Sequence, residues 1–71
     1  MYAEFRESQH VRLRKSRPRF GLKIGDVGTV IMVYTDPDEA YEVVFPTRDG
    51  SPKTVCTVGP EELELAEPPK T

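Results

Sequence analysis

Apolar and polar residues alternate in short stretches along this chain, and turn-forming residues separate the stretches. Gln9-His10-Val11-Arg12-Leu13-Arg14 alternates strictly. Val11 and Leu13 then point inward while His10, Arg12 and Arg14 face water, which predicts a half-buried strand. Lys15 to Phe20 holds Pro18 and a dense set of cations, so it reads as a loop. Gly28 to Tyr34 predicts a second strand, with strand-forming residues at nearly every position. Asp36-Pro37-Asp38 breaks it, with the proline suited to the second position of a type I turn. Ala40 to Phe45 alternates again, placing Tyr41, Val43 and Phe45 on one face. Pro46 to Gly50 ends that strand, and Asp49-Gly50 is a hairpin signal. Thr54 to Val58 predicts a fourth strand. Gly59-Pro60-Glu61-Glu62-Leu63 suits one helical or 3₁₀ turn, its acids at the positive end. Leu63-Glu64-Leu65 starts a fifth strand.

Five short strands without a helix of useful length predict an all-β fold. The order, with a long loop after strand 1 and one short helical turn before strand 5, is that of a small SH3-like barrel. Residues 1–8 read as an N-terminal arm with Tyr2 and Phe5 as docking aromatics, 9–66 as the barrel, and 67–71 as a frayed tail. The expected core is Val11, Leu13, Val27, Ile31, Val33, Tyr41, Val43, Phe45, Leu63 and one of Val55 and Cys56. Those last two point to opposite faces, so period admits only one inside. Gly25-Asp26 reads as a tight turn. Gly28 marks a strand start or a close backbone approach.

Seventy-one residues make one domain. A single cysteine, Cys56, excludes an internal disulfide, and Cys56 with the only histidine, His10, supplies two of the roughly four ligands of a structural zinc site. Residues 1–20 lack the apolar core of a signal peptide. No segment approaches the roughly 20 apolar residues of a membrane-spanning helix. The expectation is a cytoplasmic protein with no membrane partner. The net charge of −2 hides an asymmetry. Residues 1–23 hold seven cations against two acids, a surplus of +5, whereas residues 24–71 hold three against ten, a surplus of −7. Such a split marks a surface for an acidic partner, or neutralises itself across the fold.

Gly21-Leu22-Lys23-x-Gly25-Asp26-x-Gly28-Thr29-Val30, Val33-Tyr34, Tyr41-Glu42-Val43-x-Phe45 and Asp49-Gly50 together form a pattern. It resembles that of an uncharacterised bacterial family of very small, single-domain SH3-like proteins, over roughly residues 5 to 66. The resemblance implies the fold and supplies no activity or site residues. Members of that family typically carry an acid where this chain has Val44, and often a polar residue where it has Met32. Residues 20–34 are also similar to the KOW motif, a loop-and-strand element of ribosomal and transcription-factor barrels that binds RNA.

Three candidate sites follow. Arg12, Arg14, Lys15, Arg17 and Arg19 crowd into eight residues beside Phe20. Guanidinium forks bind phosphate and aromatic rings stack on bases, so this loop is the RNA or DNA candidate. The acidic balance of the whole chain opposes nonspecific nucleic-acid binding. On the second strand Val30, Met32 and Tyr34 share one face, and Ile31 and Val33 the other. If Ile31 and Val33 face inward, Met32, Tyr34 and Val44 form an apolar outer patch for a protein partner. Arg14, Arg17 and Arg19 would form its cationic rim. For catalysis, His10 sits on a basic strand, and Cys56 reads as a small buried hydrophobe. Asp36, Asp38, Glu39, Asp49, Glu61 and Glu62 fall in turns. Asp36-x-Asp38-Glu39 lacks the spaced ligand set of a calcium loop. The expectation is a binding module without enzymatic activity or cofactor, of the accessory or immunity type that its small size suits. The sequence leaves its oligomeric state open.

Overall fold

Two glycines set the corner from which the sheet grows. Gly25 holds φ +96°, a conformation that strains other residues. At Gly28 an added Cβ would lie 2.6 Å from the Val44 carbonyl oxygen and 2.7 Å from Val43 Cγ1. The backbone at Gly28 therefore approaches the segment Val43-Val44-Phe45 more closely than any side chain at 28 would permit.

A computed structural model of the chain describes residues 3–46 and 54–66. It contains β1 (His10–Leu13), β2 (Val27–Tyr34), β3 (Ala40–Phe45), β4 (Thr54–Val58) and β5 (Leu63–Leu65). Short 3₁₀ turns span Pro18–Phe20 and Pro60–Glu62, the second leading into β5 as the sequence predicts. The strands form one antiparallel sheet in the order β4-β3-β2-β1-β5. The expected Asp49-Gly50 hairpin and the 67–71 tail lie outside the described residues. The Asp36–Pro37 peptide is cis, not the trans bond of the expected type I turn.

The alternation on β1 and β3 holds: Val11, Leu13, Tyr41, Val43 and Phe45 are all at most 1% exposed. On β4, Cys56 and Val58 are buried and Val55 faces out. Leu63 completes the expected core. Phe5, Leu22, Val30 and Ala66 are also buried. Phe5 enters from the arm, where its ring meets Tyr41 edge-on at a centroid distance of 5.2 Å. Its N–H donates to Tyr41 Oη at 3.0 Å. The Tyr41 hydroxyl donates in turn to the Glu39 carboxylate, which also accepts the Glu4 N–H.

Strand β2 departs from the expected register. Val30 pairs with Val43, but Met32 pairs with Glu42, so Ile31 is an extra residue in a β-bulge. Side-chain direction flips there. Before the bulge the even positions Gly28 and Val30 face the core, and after it Val33 does, opposite Tyr41. Ile31, expected inside, is therefore exposed, and Val33 is only half-buried against the core. Val27, also expected inside, is exposed because it pairs with the outward Arg12.

Candidate functional site

The outer face of β2, β3 and β4 follows from the register. Val55 stands opposite Val44, and Val44 opposite Thr29. In the next outward row Thr57 stands opposite Glu42, and Glu42 opposite Met32. Tyr34 stands opposite Ala40. Four large apolar side chains are open to solvent here: Ile31, Met32, Tyr34 and Val55, each 41–47% exposed. Val44 is half-buried between its cross-strand neighbours. Continued alternation from Gly28 and Val30 would turn Met32 inward; the bulge at Ile31 leaves both Ile31 and Met32 on the outer side.

One carboxylate punctuates the surface. Glu42 accepts a hydrogen bond from the Tyr34 hydroxyl. That bond to a carboxylate holds the Tyr34 phenol above its ordinary value. The polar end of Tyr34 is thereby occupied. Among the described residues the outer face sets Ile31, Met32, Tyr34, Val44 and Val55 beside Thr29 and Thr57, with one acid, Glu42, next to Met32.

The cationic loop lies elsewhere. Backbone bonds between Leu13 and both Gly25 and Asp26, each 2.9 Å, tie the loop to the start of β2. Met32 lies five residues along β2 from Val27, about 17 Å of strand at 3.3 Å per residue. The register therefore brings Met32, Tyr34 and Val44 onto one face, and the backbone of the loop holding Arg14, Arg17 and Arg19 is tied to the end of β2 away from Met32 and Tyr34. Two of the loop's cations are already engaged. Arg17 forms an ion pair with Glu62, whose side chain is only 14% exposed. The same charge-assisted bond raises the Arg17 pKa. The Arg17 backbone also pairs with Leu22 on both sides. Arg17 thus locks the loop onto the Pro60–Glu62 turn, an arrangement with no signal in the sequence beyond the presence of both charges. Arg12 pairs with Glu64 at 2.8 Å across β1 and β5. Arg14, Lys15 and Arg19 are exposed, as is Phe20 at 46%.

Burial pushes the Cys56 thiol pKa up, which disfavours the nucleophilic thiolate. Among the described residues no three of histidine, cysteine, aspartate and glutamate gather to hold a metal ion. No helix among the described residues is long and apolar enough to cross a membrane.

No curated protein and no solved structure matches the chain. One family model does, over residues 7–65, a span that takes in all five strands, the Gly25–Gly28 corner and the outer face. The chain belongs to the family described as a domain of unknown function, DUF4926.

Proposed function

We propose that this chain is a non-catalytic binding module that takes a protein partner on the outer face of β2, β3 and β4. One observation carries the reading. Ile31, Met32, Tyr34 and Val55 stay 41–47% exposed on one face of a 71-residue domain. Contiguous apolar surface held in water marks contact sites in soluble proteins. Aromatic and methionine side chains are those that interfaces favour. The partner that fits has apolar side chains for Met32 and Ile31 and a donor or cation for Glu42. An accessory or immunity-type role is consistent with the small size and the lack of a catalytic constellation in the sequence. The exposed set Arg14, Lys15, Arg19 and Phe20 supports nucleic-acid contact as the alternative.

The test is quantitative capture of proteins from the source organism with and without nuclease treatment. The baits are the native chain, Met32→Glu, and Arg14→Glu with Arg19→Glu. The expected result is a protein retained by the native chain and the arginine variant and lost from Met32→Glu. Retention that needs nucleic acid, falls steeply with salt and is lost with the arginines would overturn the reading.

A further inference from the structure

The two edges of the sheet are built differently. The β5 edge is three residues long and carries Glu64, paired with Arg12. Short, charged edge strands resist pairing with another chain. The β4 edge has neither protection. Thr54-Val55-Cys56-Thr57-Val58 is five residues of strand-forming type with no charge and no proline. Among the described residues β4 pairs only with β3, and no loop backbone bonds to its other side. Alternate residues of β4 therefore direct their N–H and C=O groups away from the sheet. Val55, at 47% exposed, stands on the outer side of that edge.

We infer that the β4 edge is a self-association site, where β4 of a second copy adds antiparallel about a two-fold axis through Cys56. That register overlaps all five residues. It sets Thr54 opposite Val58 of the second copy, Val55 opposite Thr57, and Cys56 opposite its counterpart. Directly opposed residues in an antiparallel pair lie on the same face. The outward Val55 and Thr57 therefore meet each other, as do the inward Cys56, Val58 and Thr54. No like charges oppose one another in this register, in a chain where 31% of residues are charged. The pairing is isologous and closes at two copies. The protected β5 edges end the ten-stranded sheet. A contact this small lies below the standard interface size, so the dimer is weak; the concentrations below suit a dissociation constant on the order of 0.1 mM. The inference stands apart from partner binding on the outer face, since it rests on backbone groups of β4.

Sedimentation equilibrium tests it between about 10 µM and about 1 mM. The average mass should rise from 8.0 kDa toward twice that value. At about 1 mM roughly one chain in five remains free, so amides of 54–58 should exchange with deuterium about fivefold more slowly than in dilute protein. Val55→Lys with Thr57→Lys, both on exposed side chains, should abolish both effects. Leu65→Lys, on the β5 edge, should leave them intact. A mass fixed at 8.0 kDa to 1 mM would overturn the inference. So would association that survives the paired lysines, or concentration-dependent protection centred outside β4.

Discussion

Replacing Gly28 with alanine adds one methyl group at the tightest point of the sheet. The new Cβ would sit 2.6 Å from the Val44 carbonyl oxygen, 2.7 Å from Val43 Cγ1 and 2.8 Å from Phe45 Cδ1. All three distances are well inside van der Waals contact of about 3.5 Å. The carbonyl belongs to the backbone of β3, and Val43 and Phe45 are fully buried. Relief therefore requires β2 and β3 to separate, not a side chain to swing away. Overpacking a closed core costs about 1–3 kcal/mol, and this site belongs at the upper end, about 2–3 kcal/mol. A domain of this size has a total stability of roughly 4–10 kcal/mol. The midpoint of thermal unfolding should then fall by roughly 10–20 °C. Gly25→Ala is the control. Nothing lies within 4 Å of a Cβ there, and only the positive φ of 96° opposes the change. Its cost is about 1 kcal/mol. Urea denaturation of both variants at one pH gives the two values. A Gly28→Ala variant within about 0.5 kcal/mol of the native chain, or one milder than Gly25→Ala, would refute the close approach.

Arg17→Ala should destabilise the fold by about 1–2 kcal/mol, because it breaks a charge-assisted bond to the largely buried Glu62. Arg12→Ala, which breaks an exposed pair with Glu64, should cost under about 1 kcal/mol in the same titration. The Glu39 carboxyl is held below its ordinary value of 4.5, first by the Tyr41 hydroxyl and then by the Glu4 N–H. Its folded pKa thus lies below its unfolded one, so its contribution is present above about pH 4.5 and is lost as pH falls through the folded value. Urea midpoints measured from pH 7 down to pH 3 should fall less steeply at the acid end for Glu39→Gln than for the native chain. Equal slopes would show that the bond contributes nothing.

How far the structure could be read from the sequence varied with the strand. On β1 a polar residue separates Val11 from Leu13, and on β3 Glu42 separates Tyr41 from Val43, so the period fixes which face is buried, and Val11, Leu13, Tyr41, Val43 and Phe45 are all inside. On β2 residues 30–34 are apolar without interruption or end in tyrosine. A one-residue bulge in such a run changes every direction after it and leaves no mark in the pattern. That is why Val33 faces the core although Val30, before the bulge, faces it too and Ile31 lies outside, against expectation. Val27 was misplaced for a related reason: its direction follows Arg12 across the pair, which only the register reveals. Phe5 was legible as an aromatic able to dock, but its burial depends on Tyr41 and Glu39, more than thirty residues away. Of the outer face, Met32, Tyr34 and Val44 were legible from the sequence. Ile31 and Val55 join them through the bulge and the β3–β4 register. The pairing of Arg17 with Glu62 leaves no mark in the sequence because it joins residues 45 apart along the chain.

The outer apolar face exists only if Ile31 faces water while its neighbour Val30 stays in the core. Urea denaturation of Val30→Glu and Ile31→Glu, adjacent in sequence, tests this most directly. Val30 is 1% exposed and Ile31 44%. A carboxylate at 30 has no water and no partner, so Val30→Glu should cost several kcal/mol and leave little folded protein. Ile31→Glu should fold with a stability within about 1 kcal/mol of the native chain. An Ile31→Glu variant that unfolds while Val30→Glu remains folded would place Ile31 in the core and remove the binding face.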